Sequence, residues 1–250
     1  MSDLTNILLL AFIGSIAGII GGVILILKES WGRVLCKYAI PLAAGILLSV
    51  SMLHLIPEAN RELGDSAFII VLLAFLGSFL FEHFFAHLHH HEDRKHTMFK
   101  TAVPLIVFGD TIHNFIDGVA IAAAYFVDPM FGVVVALATF LHETPHEIGD
   151  FGLLMKAGWS KGKTFTVNLF SASFTFPGAL FVFFFVRDAH EKIGILLAIS
   201  AGIFLFLGAS DFLPEVEEEE RKHPSWKYLA PLFIGVAIMY LMTFFVPKHN

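Results

Sequence analysis

The sequence predicts an all-α membrane protein with eight transmembrane helices, and three observations predict it. Hydrophobic residues make up 56% of the 250-residue chain and charged residues only 15%, where a soluble domain carries about 25% charged residues. Eight apolar runs, at about 7–27, 39–56, 67–88, 101–126, 131–155, 165–186, 193–213 and 228–246, match the ~20 residues that a helix needs to cross a bilayer. Lys and Arg then divide unevenly between the two sides that this count creates. Twelve fall on one side, in the segments 28–37, 94–100, 156–163 and 221–227. Four, Arg61, Arg187, Lys192 and Lys248, fall on the side of the termini. Basic loops stay in the cytoplasm, so the termini are expected outside it. A missed or extra helix would scramble this split.

Each run has its own signature. The first carries Gly14, Gly18 and Gly22, a small-residue spacing that lets helices pack closely in lipid. Met1-Ser2-Asp3-Leu4 lacks a basic stretch, so this run is expected to stay as a span rather than act as a signal peptide. A polar patch at 28–37 leads to the second run, which closes on His54-Leu55-Ile56-Pro57-Glu58. The third ends in Glu82-His83 and enters a cytoplasmic histidine-rich loop at 87–100, with His87, His89, His90, His91 and His96. Such tracts bind metal in some proteins and are merely solvated in others. The sixth run holds Asn168, Ser171, Ser173 and Pro177 but no acidic residue. The seventh ends Asp211-Phe212-Leu213-Pro214-Glu215, and a charged loop is expected at 217–222.

Runs two and seven thus share an ending: an ionisable residue, two apolar residues, then Pro-Glu. The two endings lie on opposite membrane faces. An inverted repeat of helices 1–3 and 6–8 around helices 4–5 would produce this, and so would chance likeness of helix ends. His54 and Asp211 then read either as entrance and exit relays or as plain interfacial residues. The net charge of −6 argues against a nucleic-acid partner. A single cysteine, Cys36, allows no internal disulfide and no cysteine zinc site.

Chemistry concentrates in runs four and five. The fourth contains His113-Asn114-Phe115-Ile116-Asp117-Gly118, and the fifth His142-Glu143-Thr144-Pro145-His146-Glu147-Ile148-Gly149-Asp150. Ionisable groups are costly at membrane depth and usually face a partner, a cavity or an ion. Residues four apart share a helix face, so His113 aligns with Asp117 and His142 with His146. Glu143 and Glu147 form a second row about 100° round the helix. Imidazole and carboxylate on facing helices suit a divalent metal. Polar helix–helix glue accounts for one or two such residues but not for this cluster. A metal-free proton relay is the stronger rival. Pro145 frees a carbonyl near Leu141 and can kink the helix around a cavity. Asp110, one turn before Asn114, reads as a pathway residue or as part of a helix contact.

These two motifs are similar to those of the ZIP (Zrt/Irt-like protein) metal transporters. His-Asn-x-x-Asp-Gly matches on helix four. His-Glu-x-Pro-His-Glu-x-Gly-Asp matches on helix five and marks one branch of that family. The resemblance implies a binuclear site between helices four and five. By motif position, His113, Asp117, His142 and His146 form its main site, and Asn114 and Glu143 a neighbouring one, with Asp117 and His146 placed to bridge. Some relatives add a glutamate from helix six, which this chain lacks. Glu147 and Asp150 match the motif, and they relay metal or protons or brace the helix. Helices one, four, five and six are implied to move against two, three, seven and eight. Without the long extracellular domain of many animal members in these 250 residues, a bacterial or minimal member is expected.

The expected function is import of divalent metal by alternating access, with Zn²⁺ the first choice and Fe²⁺, Mn²⁺ and Cd²⁺ as further substrates. No resident cofactor and no catalytic residue are expected. The expected partners are the metal ion, the lipid bilayer and a second copy in a homodimer. The expected location is the plasma membrane or a bacterial inner membrane. A second reading is an intramembrane zinc-dependent hydrolase, because His142-Glu143-Thr144-Pro145-His146 formally fits His-Glu-x-x-His. Pro145 and the ligands on the preceding helix favour transport.

Overall fold

The computed structural model describes residues 2–16, 18–87, 98–222 and 226–246, and these contain helices and no strand. α1 (Asp3–Ala11) starts at Ser2, whose hydroxyl accepts the Thr5 N–H. A π-helical stretch, Phe12–Ile16, leads through Gly18 into α2 (Ile19–Leu27). α3 (Glu29–Val50), π-helical Ser51–Leu55 and α4 (Ile56–Leu63) run on without interruption, and α5 (Ser66–His87) follows. The long helices α6 (Met98–Val127) and α7 (Pro129–Lys156) come next. Asp128 caps α7 by accepting the N–H groups of Met130 and Phe131, with Pro129 in the first turn. α8 (Lys161–Ala172), α9 (Thr175–Phe185), α10 (His190–Phe206), π-helical Leu207–Phe212, α11 (Leu213–Lys222) and α12 (Trp226–Met242) complete the described chain.

Two of the π stretches have the same cause. Pro57 and Pro214 each stand two residues past the end of one. A proline crowds the carbonyl four residues back and has no N–H to offer it. Those carbonyls belong to Leu53 and Ser210, inside the π-helical turns. The wider turn relieves the crowding without ending the helix.

The sixth apolar run is broken rather than continuous, with Ser173 and Phe174 between α8 and α9. Pro177 lies four residues after Ser173, so the Ser173 carbonyl cannot take the usual i+4 bond and accepts the Phe176 N–H at 3.1 Å instead. The carbonyl of Ala172 is taken up by hydroxyls, those of Ser15 at 2.8 Å and Thr175 at 3.0 Å. The charged loop expected at 217–222 is instead the end of α11. Glu, Arg and Lys favour helix, and Arg221 pairs with Glu217 one turn away at 2.8 Å. Most of the polar patch at 28–37 likewise lies in α3. Of the expected histidine loop, His87 closes α5, whereas His89, His90, His91 and His96 lie outside the described residues.

Five helical segments, at 3–24, 34–63, 66–84, 161–185 and 190–218, are long and apolar enough to cross a membrane. α12 is apolar but shorter, at 17 residues. α6 and α7 have 30 and 28 residues and carry the polar motifs in their middles. On α5, Phe68, Ile69, Leu72, Leu73, Leu76 and Phe79 are all exposed. An apolar face of that extent belongs against lipid.

α6 and α7 pack against each other at the centre. α6 also packs on α9, and α7 on α2 and the first π stretch; α3 packs on α12 and α7, and α10 on α5 and α6. Backbone contact sets the α6–α9 spacing. A Cβ at Gly118 would lie 1.9 Å from the Thr175 carbonyl oxygen, and one at Gly178 would lie 2.0 Å from that of Phe115. Only glycine permits this approach. Gly45 against Leu232 and Gly202 against Val71 repeat the arrangement at the α3–α12 and α10–α5 contacts.

Candidate metal centre

The α6–α7 contact brings His113, Asp117, His142 and Glu143 together, all buried, with one ligand atom from each within 4.8 Å of the others. Nε2 of His113 lies 3.0 Å from Oε1 of Glu143 and 3.3 Å from Nε2 of His142. Oδ2 of Asp117 lies 3.3 Å from Nε2 of His142 and 3.7 Å from Nε2 of His113. Nε2 of His142 lies 3.6 Å from Oε1 of Glu143. A tetrahedral ion with ligands at about 2.0–2.1 Å holds them about 3.3–3.4 Å apart. The five separations bracket that value.

The electronics agree with the geometry. Nδ1 of His142 is 2.9 Å from the Ala138 carbonyl, which can only accept, so Nδ1 carries the proton. The lone pair of Nε2 is thereby turned towards the other three ligand atoms, the orientation metal-binding histidines adopt. Both oxygens of Asp117 and Oε2 of Glu143 are buried without a hydrogen bond. Carboxylates at that depth call for a cation. Phe204 of α10 meets the His142 ring edge-on, with centroids 5.4 Å apart.

His146 falls in a different group. Its Nδ1 lies 3.6 Å from Oδ1 of Asp110 and 4.0 Å from Oδ2 of Asp150, and these three residues form a second set with ligand atoms within 4.8 Å. Its ring remains near His113, with centroids 5.2 Å apart. Asp110, His113 and His146 line a cavity of about 820 Å³. The cavity is walled mainly by apolar residues of α5, α6 and α10, and Glu82 and Asp211 also line it.

Asn114 is buried and committed elsewhere. Its Oδ1 lies 2.8 Å from the Ser15 hydroxyl and 3.3 Å from that of Thr175, sharing their two protons with the Ala172 carbonyl, and its Nδ2 donates to Oδ1 of Asp110 at 3.0 Å. It therefore ties the helix breaks at Ser15 and Thr175 to Asp110. Ser15 and Thr175 are participants that sequence reasoning missed; the proline after Thr175 was the available signal. Glu147 is fully buried, neither of its carboxylate oxygens has a hydrogen bond, and it belongs to neither group. His54 is buried, with Nε2 3.0 Å from the Met239 carbonyl and its ring on Phe131, so it joins α12 to the π stretch.

The family profile described as ZIP Zinc transporter matches residues 91–243, which include α6, α7 and both ligand groups. The chain belongs to the ZIP family. Among its ZIP relatives, mouse Zinc transporter ZIP10 is 33% identical over 169 residues, 64% of this chain and 20% of that protein. Mouse Zinc transporter ZIP4 is 39% identical over 120 residues, 48% of this chain and 18% of that protein. Zinc transporter foi of Drosophila melanogaster is 33% identical over 142 residues, 56% of this chain and 20% of that protein. The chain spans about a fifth of the length of these relatives. ZIP membership and the five apolar helices make it an integral membrane protein.

Proposed function

We propose that this ZIP chain is a membrane transporter, not an enzyme, that carries divalent metal towards the cytoplasm by alternating access. The observation that carries the reading is the buried set His113, Asp117, His142 and Glu143, whose mutual spacing fits one tetrahedral ion. Two imidazoles and two carboxylates favour Zn²⁺, with Fe²⁺, Mn²⁺ and Cd²⁺ as weaker candidates. The relatives' names, zinc transporters, point the same way.

Alternating access draws support from the asymmetry of access. On one side of the set, residues 119–125 of α6 and Phe131, Val134, Val135 and Ala138 of α7 are all buried. On the other side the cavity reaches Glu82, near the end of α5, and Asp211. With the termini outside, as the basic residues require, that open end is cytoplasmic. The eight-span count and the inverted repeat belong to the same reading. The repeat would exchange α3–α12 with α10–α5 and α6–α9 with α7–α2, and each pair is in contact. The matched π stretches before Pro57 and Pro214 fit that exchange. A homodimer in a plasma or bacterial inner membrane remains the assembly we infer. The hydrolase reading needs both His142 and His146 on one ion with Glu143 free as base. Those histidines fall in separate groups and Glu143 stands among the ligand atoms, so nothing favours that reading.

The test is Zn²⁺ uptake into liposomes containing purified protein and an internal indicator. Asp117→Ala and His142→Ala are expected to lower the rate at least about tenfold, since even outer-sphere changes cost 10–100-fold in metal sites. Uptake at the unsubstituted rate by both variants would overturn the assignment.

A further inference from the structure

We propose that the cavity between α5, α6 and α10 is a lipid site, which takes one acyl chain of a cytoplasmic-leaflet phospholipid whose headgroup carries an amine. The inference stands on membrane insertion. Only the choice of leaflet rests on the orientation proposed above.

Four observations carry it. First, the cavity has two unlike walls. Asp110, His113 and His146 stand on the side of α6 and α7, whereas α5 and α10 offer apolar side chains as far as Glu82 and Asp211. The hydroxyl on that second wall, Ser78, donates to the Ala74 carbonyl of its own helix at 3.0 Å. Water against this wall finds no polar side chain to bond, and apolar cavities stay dry or take apolar guests. Second, the mouth lies in the bilayer. Leu73 lines the cavity, is 62% exposed and stands near the middle of the apolar segment 66–84. Phe81, 40% exposed, lines it about two turns further on. The opening therefore runs along α5 through the hydrocarbon, where acyl chains are the solvent. Third, Gly77 and Gly109 both line the cavity, and a Cβ at either would meet nothing within 4 Å. Glycine is unfavourable inside a helix. Here the missing side chains widen the cavity, whereas those of Gly118 and Gly178 admit a neighbouring helix. Fourth, size and charge fit. From Ile70 to Glu82 the helix rises about 18 Å, at about 1.5 Å per residue. One leaflet's share of a ~30 Å hydrocarbon core is about 15 Å. The volume of about 820 Å³ falls within the range of small-molecule sites. Glu82 and Asp211 mark the headgroup end, so an amine is attracted there and a purely anionic headgroup is repelled.

A chain seated on the apolar wall confines water to the polar wall. The metal then leaves along a narrow hydrated path beside His146 and Asp110, and not through a wide apolar one. The lipid is thus a structural part of the cavity, and it enters sideways, between α5 and α6.

The experiment uses the full chain in liposomes that contain phosphatidylethanolamine with a photoactivatable diazirine at the end of one acyl chain. Adducts are mapped by mass spectrometry after irradiation. They are expected on Ile199 and Ile203 of α10 and on Ile112 and Ile116 of α6, which line the cavity, as well as on Phe68 and Leu72 of the outer face of α5. Labelling confined to the outer face would overturn the proposal, and this arm needs no variant to fold. Gly77→Phe fills the cavity from α5 without a backbone clash, since a Cβ there meets nothing within 4 Å. Adducts on Ile199 and Ile203 should then be lost while those on Phe68 and Leu72 persist; unchanged labelling of all four would overturn the proposal as well. The same tail on phosphatidylglycerol should label Ile199 and Ile203 about fivefold less, the factor one interfacial charge is worth against an anionic headgroup. Glu82→Gln with Asp211→Asn should erase that difference. Equal labelling by the two lipids in the unsubstituted protein, or a difference that survives the double substitution, would overturn the headgroup assignment. A protein that gives the expected adducts but takes up no zinc would overturn the transport reading and leave the lipid site standing.

Discussion

Replacing Gly118 by alanine tests the packing that holds the centre together. The new Cβ would stand 1.9 Å from the Thr175 carbonyl oxygen, where real Cβ contacts do not fall below 3.0 Å, so α6 and α9 must separate by at least about 1.1 Å. The obstacle is backbone, which no rotamer change can remove. Overpacking of this kind costs about 1–3 kcal/mol, partly offset by about 0.5–1 kcal/mol of improved helix propensity. The displacement falls on Thr175, whose hydroxyl reaches Asn114 at 3.3 Å, and Asn114 in turn holds Asp110. Gly152→Ala is the control, because a Cβ at Gly152 meets nothing within 4 Å. Thermal unfolding in detergent should show Gly118→Ala several degrees below Gly152→Ala, at roughly 2–4 °C per kcal/mol for a chain of this size. Zinc uptake should fall in Gly118→Ala and hold in Gly152→Ala. Equal melting temperatures and equal uptake for the two variants would refute the argument that backbone contact at Gly118 sets the geometry of the site.

Further outcomes follow from the same geometry. His54→Leu removes the bond to the Met239 carbonyl and should lower stability by about 1 kcal/mol while zinc uptake per folded protein holds; loss of uptake at normal stability would make His54 a relay. Asn114→Leu leaves the hydroxyls of Ser15 and Thr175 with the Ala172 carbonyl alone and removes the amide that holds Asp110. The melting temperature in detergent should fall by several degrees, for a cost of about 1–3 kcal/mol. For topology, in a Cys36→Ala background a cysteine at position 66 should react with an impermeant thiol reagent added outside cells, and one at position 160 should not. The reverse pattern would invert the orientation and the direction of transport.

Much of the architecture is written locally. Apolar length and charge partition depend only on composition along the chain, so the long helices were legible. The i, i+4 register placed His113 with Asp117 because a helix turns about 100° per residue whatever surrounds it. Proline chemistry is equally local, yet whether Pro57, Pro145 or Pro177 produces a π turn, a continuous helix or a break depends on what takes up the freed carbonyl. At Pro177, hydroxyls at Ser15 and Thr175 satisfy the neighbouring Ala172 carbonyl, and Ser15 comes from 157 residues away. Helix register alone left the sharing of ligands open. Register fixes each helix face only relative to its own axis, whereas the rotation of α6 against α7 is set by packing on α9, α2 and α3. That rotation turns Glu143 towards His113, turns His146 towards Asp110 and Asp150, and commits Asn114 to Ser15 and Thr175. The sequence by itself determined which side chains lie at membrane depth with metal-binding chemistry. Only the tertiary structure decided which of them converge on the same point, because ligand separations of 3–4 Å depend on the relative rotation and spacing of helices distant in sequence.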